Sequence, residues 1–333
     1  MIIYIIVFLI TICFCKMAEK NFRENRKRHG IICSAFVILI PSILAGLRDT
    51  TVGTDVKIYV EYLFQIAQNS QSLKDYLLYY GVDGIEFGYN ILTFFTAKIF
   101  GDLHWLLFFI QLIIITNVFL FLYNKRVNIS ITIGLFIYLF TFYNVTLNIS
   151  RQLIAVSFIM YSLILLERKK YIKTLVVFFI ALSFHSSSII AIIMYIIMLI
   201  FDAKKINNRT KKILLGLTMI AVIIVRITYL PIINFLTYNL NVFPEKYLNY
   251  ILIGYNENAI LKVNKIGAII RLFFLLSFFI DKKKNDKIYS YVCFAIIEMG
   301  ILFMSTITSN FIRIGYYMFL PSLIILVSNS YKV

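Results

Sequence analysis

Apolar runs recur along the whole chain, broken by short polar stretches that are mostly basic; Ile31–Leu47, Leu106–Leu122, Ile213–Val225 and Ser322–Val327 are examples. A helix needs about 20 predominantly apolar residues to cross a bilayer, so the pattern predicts an all-α, polytopic transmembrane bundle of about 11 spans. The predicted spans are residues 1–15, 31–47, 104–123, 129–147, 150–167, 172–184, 187–201, 213–230, 265–280, 288–306 and 312–329. They form a single integral membrane domain over 1–333, with external loops at 48–86 and 231–264. Residues 87–100 are apolar but short, and a full crossing there would turn every later basic loop to the opposite side. They are read as a re-entrant or interfacial segment. The pair 172–184 and 187–201 is also short, which would sink its tip at His185 below the outer surface.

Composition supports this reading. The chain is 61% hydrophobic and only 15% charged, with a mean hydropathy of +0.86, where a soluble domain carries roughly 25% charged residues. A net charge of +17 would suggest nucleic acid on a soluble face. Here the charge lies in short loops, at 16–28, 125–126, 168–173, 204–212 and 282–287. That is the positive-inside signature: it sets orientation and argues against a nucleic-acid partner. It predicts an outside N-terminus and a cytoplasmic C-terminus. Residues 1–15 lack a basic start and a small-residue cleavage site, so they are expected to stay as a first span. The four cysteines show neither metal spacing nor a disulfide framework.

Charged side chains within this oil carry the candidate chemistry. Arg48, Arg151, Arg226, Arg271 and Arg313 sit in or at the ends of spans, all toward the predicted outer face. Intramembrane arginines usually face protein or a wet cavity, and guanidinium groups hold phosphate oxygens two at a time. An outward-facing, anion-binding polar cavity is therefore expected. In Arg48–Tyr59, Gly53 would permit a tight bend. Asp49 and Asp55 would orient Arg48, bind hydroxyls or accept a proton, although an ordinary turn with an interfacial arginine is the simpler alternative. Ser150 is expected to cap the helix that carries Arg151 and Gln152, adding its N-terminal dipole to an anion site. His185, Glu86 and Asp55 are candidate general bases, His185 first; a histidine in an interhelical hydrogen bond is the plainer reading. Arg313 clusters with Tyr316 and Tyr317. No nucleotide-binding loop or metal constellation is present in the sequence, so neither metal nor cofactor is expected.

Five blocks in order, RDTTVGTDVKIY from Arg48, EFGY from Glu86, NISRQLIA from Asn148, FHSS from Phe184 and RIGYY from Arg313, resemble the EpsG family, relatives of Wzy-type polysaccharide polymerases. Ser188 departs from the alanine that many relatives carry there. The resemblance implies a metal-independent glycosyltransferase of the bacterial cytoplasmic membrane, making exopolysaccharide, capsule or a similar glycan. It would move a growing glycan from one polyprenyl diphosphate onto the repeat unit of another. Arg48, Arg151, Arg271 and Arg313 would hold the diphosphate, and Asp49, Gln152, Arg226, Tyr59, Tyr316 and Tyr317 would contact substrate. The implied partners are the polyprenyl-diphosphate-linked oligosaccharide, the lipid bilayer and other polysaccharide-export proteins. A flippase for lipid-linked oligosaccharide would use the same arginines without a base. Another membrane glycan-modifying transferase would centre on His185.

Overall fold

The computed structural model describes residues 2–53, 55–79, 82, 84–203, 206–238, 269, 271–273, 275–276, 288–304 and 310–330. Its regular elements are helical throughout, with no strand among the described residues. They begin with α1 (Ile2–Arg23) and α2 (Lys27–Gly46), followed by a π-turn (Val56–Val60) with α3 (Glu61–Asn69) and α4 (Leu73–Leu77). Next come α5 (Phe87–Phe100), α6 (Leu103–Lys125) and α7 (Ile131–Ile137), a second π-turn (Tyr138–Phe142) and α8 (Tyr143–Thr146). Then α9 (Ser150–Glu167), α10 (Tyr171–Phe184), a 3-10 turn (Ser186–Ile190) and α11 (Ala191–Phe201) lead to α12 (Asn208–Tyr238), α13 (Tyr289–Met304) and α14 (Asn310–Ser330). By length and composition α1, α2, α6 and α9 can each cross a membrane, and several shorter apolar helices accompany them.

Differences from the predicted boundaries have simple causes. α1 continues to Arg23 and α12 to Tyr238 because backbone hydrogen bonding does not stop where side chains turn polar. The external loop expected at 231–264 therefore starts as helix. Its remainder, most of the span predicted at 265–280 and the basic loop at 282–287 lie outside the described residues. The stretch 48–86 is a small helical layer rather than a loop: α3 buries Leu63, Phe64 and Ala67 and packs on α5, leaving Tyr59 and Tyr62 exposed.

The chain divides into a first unit through Ala191 and a second from Ile192 to Ser330. In the first, α1 packs on α2, α2 on α6, α6 on α9 and α9 on α10. Lipid is as apolar as leucine, so such helices are held by close packing and interhelical hydrogen bonds worth about 0.6 kcal/mol each. Gln111 joins α6 to the α7–α8 segment, donating to the Tyr138 hydroxyl at 2.8 Å and accepting from Thr146 Oγ1 at 2.9 Å. Asn117 on α6 donates to Ser157 Oγ on α9 at 3.1 Å.

This unit has two chemically distinct ends. At one, the Glu19 carboxylate takes Arg23 and the Ser130–Thr132 helix start, and Lys125 pairs with Glu167. The basic loops at 16–28, 125–126 and 168–173 gather there. At the other, His104 Nδ1 lies 2.6 Å from the Gly46 carbonyl, joining the start of α6 to the end of α2. α5 begins beside the start of α9 and ends at Gly101, two residues before α6. Both its termini thus lie at this second end. Gly101, at φ 68°, stops α5, and the Asp102 side chain accepts from the His104 N–H to start α6.

In the second unit α12 packs on α13, and α13 on α14. Two glycines permit close approach. A Cβ on Gly300 would lie 2.2 Å from Val222, and one on Gly315 would lie 3.3 Å from Ile301 and 3.8 Å from Glu298 Cγ.

Candidate functional site

Four of the five sequence blocks meet at the second end of the first unit. Gly53 turns the first block with φ 100°, and a Cβ there would sit 2.6 Å from the Leu147 carbonyl oxygen. That contact needs glycine both for its backbone angle and for space. It lays the loop on the segment preceding α9, where the Asp55 N–H donates to Asn148 Oδ1 at 3.0 Å. Gly88 does the same for α5, since a Cβ there would lie 2.4 Å from Ser183 Oγ on α10. This close crossing sets Glu86, just before α5, against the turn that follows α10.

Glu86 is the hub. Its Oε2 accepts from Arg151 Nη1 at 2.7 Å, and its Oε1 accepts from the Ser186 backbone N–H at 3.0 Å. Burial pushes the Glu86 carboxyl up. The Ser186 N–H, its own backbone N–H and the charges of Arg151 and His185 outweigh burial and hold it below the usual carboxylate range. Arg151 also lies 5.9 Å from the ring centroid of Tyr89, a buried residue of α5.

Beside this hub a polar chain runs through the turn. Gln152 donates to Ser187 Oγ at 3.2 Å, Ser187 Oγ lies 2.7 Å from His185 Nδ1, and the Ser187 N–H donates to that nitrogen at 3.2 Å. The Ser187 N–H thus uses Nδ1 as its acceptor. The first-choice general base therefore has its Nδ1 engaged within its own turn.

Arg48 differs from Arg151. It is only 6% exposed, its Nε has no hydrogen-bond partner, and Tyr143, Tyr4 and Tyr89 lie within electrostatic reach. It forms no ion pair with a described carboxylate. Asp49 does not orient it: that exposed carboxylate accepts from the Thr51 N–H at 2.8 Å and the Thr51 hydroxyl at 2.7 Å, contacts that hold it below the usual range. Asp55 is half-buried, lies within electrostatic reach of Tyr89 and makes no ion pair with a described residue. Ser150 does not cap α9. It is the first residue of the helix, Ile149 holds the cap position without a side-chain bond, and Ser150 Oγ is buried without a partner. The helix N-terminus beside Arg151 is therefore left without a side-chain cap.

The sequence model of the EpsG family matches residues 31–333. The chain belongs to the EpsG family. No curated protein and no solved structure matches it. The EpsG family is associated with Wzy-like polymerases, and the apolar helices suit a multi-pass membrane protein.

The remaining candidates of this EpsG-family chain lie elsewhere. Tyr59 is exposed on the π-turn. In the second unit, Arg271 lies 3.2 Å from Glu298 and 4.1 Å from the Phe319 ring centroid. The Arg271 Nε lacks a well-directed hydrogen bond despite that distance, so the contact is an ion pair and not an aligned donor–acceptor pair. Tyr316 lies within electrostatic reach of Arg313, Arg271 and Glu298; Arg313 is exposed and Tyr317 buried. Arg226 is exposed on α12 beside exposed Ile224, Val225 and Ile227 and makes no contact with a described polar group. Sequence reasoning missed Glu298 and Tyr89. A lone carboxylate in the run YSYVCFAIIEMGILFM was the available signal for Glu298, because such groups are costly in a bilayer. Nothing in the local pattern marks Tyr89.

Proposed function

We propose that the protein joins polyprenyl-diphosphate-linked glycan repeat units at the outer face of the bacterial cytoplasmic membrane. The observation that carries this reading is the meeting of a buried Arg48, in no ion pair with a described carboxylate, with a releasable Arg151 at one end of the first unit. The basic loops at the opposite end favour a cytoplasmic position for that end, which leaves the arginines outside.

A diphosphate leaving group requires cations near the membrane surface and no nucleotide. Arg48 remains charged at physiological pH and has no carboxylate among the described residues to satisfy it. Arg151 can exchange Glu86 for a phosphate oxygen, because Glu86 keeps the Ser186 N–H. The uncapped start of α9 adds a favourable dipole for an anion. The His185 Nε2–H donates a further hydrogen bond to the departing oxygen, where charge develops. Both Glu86 oxygens are engaged, by Arg151 and by the Ser186 N–H, so Asp55, which makes no ion pair with a described residue, is the residue to take the proton from the acceptor hydroxyl. Direct displacement then inverts the anomeric centre: the acceptor oxygen–C1 bond forms as the C1–diphosphate bond breaks, and the lipid leaves as its diphosphate. Arg271 is tied to Glu298 and is not needed for this grip.

The test compares the size and sidedness of lipid-linked glycans in cells lacking the protein with those in cells carrying it or its Arg151→Ala variant. Single repeat units should accumulate on the outer leaflet in both the deletion and the variant. Single units trapped on the inner leaflet would replace this reading with flipping.

A further inference from the structure

The helical layer above α5 contains a cavity of about 520 Å³ that the reaction scheme does not use. Tyr62, Gln65 and Asn69 line it from one face of α3, at helical spacing, and Gln71, Asp75 and Tyr79 close it from the following turn and α4. The opposite face of α3 is committed to α5 through Leu63, Phe64 and Ala67. The two tyrosines are 46% and 50% exposed, so their ring faces are open. The side-chain amides of Gln65, Asn69 and Gln71 make no hydrogen bond to a described group. Asp75 keeps one oxygen on Ser72 Oγ at 2.7 Å, which fixes the carboxylate and leaves the other oxygen free to accept.

This is an unusual lining for a membrane-surface helix. An interfacial anchor would present apolar and basic groups to lipid, whereas this lining sets three uncommitted amides and a carboxylate beside two aromatic rings, with Ile66 as its aliphatic member. Aromatic faces suit the apolar faces of sugar rings, and amides both donate to and accept from hydroxyl rims. No described lysine or arginine lines the cavity, so among these residues a carboxylate or phosphate group finds no partner, and Asp75 repels one. From these observations we infer that the cavity is a subsite for neutral or amino sugars of the glycan chain, separate from the arginine centre. The inference rests on the polymerase reading and adds the class of sugar and the place where it is held.

Its position gives the subsite a task. Tyr76 of α4 bonds Asn90 at 3.3 Å and packs on Phe94, and Gln68 and Lys98 tie α3 to the far end of α5. Asn90 and Phe94 lie four and eight residues beyond Glu86, about 6 and 12 Å along the helix. The subsite therefore grips sugars removed from the reacting bond, where holding the chain between additions favours longer products.

The test is binding of neutral oligosaccharides, released by partial acid hydrolysis from the parent cells' own surface polysaccharide, to the purified full-length protein in detergent by saturation-transfer NMR and calorimetry. The native protein should bind saturably, and inorganic pyrophosphate should not compete. Tyr62→Ala with Tyr79→Ala should weaken binding at least tenfold, as should Asn69→Asp, which is nearly isosteric and sits on an exposed face. Tyr62→Phe, which keeps the ring, and Arg151→Ala should bind as the native protein does. No saturable binding, indifference to the tyrosine pair, or loss on Arg151→Ala would each overturn the subsite. The probe carries no diphosphate, so this outcome is independent of the leaflet assay: glycan binding without polymerisation would remove the polymerase reading and leave the subsite standing.

Discussion

Two arginine–carboxylate pairs, one in each unit, share their chemistry and differ in what they permit. Arg151 meets Glu86 through an aligned 2.7 Å hydrogen bond at a helix start, with the two side chains 28% and 17% exposed. Arg271 meets Glu298 at 3.2 Å within an apolar helix pair, stacked on Phe319, with the carboxylate side chain 7% exposed. Glu86 has a second donor in the Ser186 N–H, so Arg151 can leave without stranding an acid. Glu298 has no other hydrogen-bond or ion-pair partner among the described residues, so moving Arg271 would leave a buried acid without its cation. The first pair is built to open, and the second is a structural pin.

The comparison breaks most visibly at the pin. Glu298→Ala should cost about 3–5 kcal/mol, because removing one partner strands the other. A thermal melt in detergent measures it, and replacing both residues by leucine should restore most of the loss. A Glu298→Ala protein that melts like the native one would end the distinction. Next in size, Arg151→Ala should lower polymer output roughly 10²–10³-fold while moving the melt little. Arg151→Lys should remain poor, since lysine keeps the charge but loses the planar fork; chain-length analysis of the product reads both. Arg48→Met should separate binding from folding by sign. Output should fall at least about tenfold while the melt stays level or rises, because an unpaired buried charge has been removed. The smallest effect is in pH. The folded Glu86 carboxyl is held below its unfolded value of about 4.3, so its stabilisation is full above that value. It is lost as pH falls through the lower folded value. Melting curves between neutral and acid pH should show that loss, and Glu86→Gln should lack it.

Much of the helical architecture was legible in the sequence. Predicted 150–167, 172–184 and 288–306 became Ser150–Glu167, Tyr171–Phe184 and Tyr289–Met304, because apolar length is a local property. The membership of the site was partly legible, since Arg48, Glu86, Arg151, Gln152 and His185 are rare polar groups at the ends of apolar runs. Their pairing was not. Glu86 and Arg151 stand 65 residues apart, and no periodicity links them. The contacts of His185 were also hidden, because they include a backbone N–H two residues on. Ser150 fits a cap by composition, but the helix begins at that residue rather than after it.

The hub carboxylate bears on the end of a catalytic cycle as well as its start. Once the glycan has moved, the spent lipid diphosphate must leave. Glu86, which in the structure accepts from Arg151 at 2.7 Å, is then a built-in competitor for the same hydrogen bonds. A rival tethered to the protein never dilutes away, and it caps how long the product can stay. On the proposed scheme the acid that weakens the grip is what lets the site turn over.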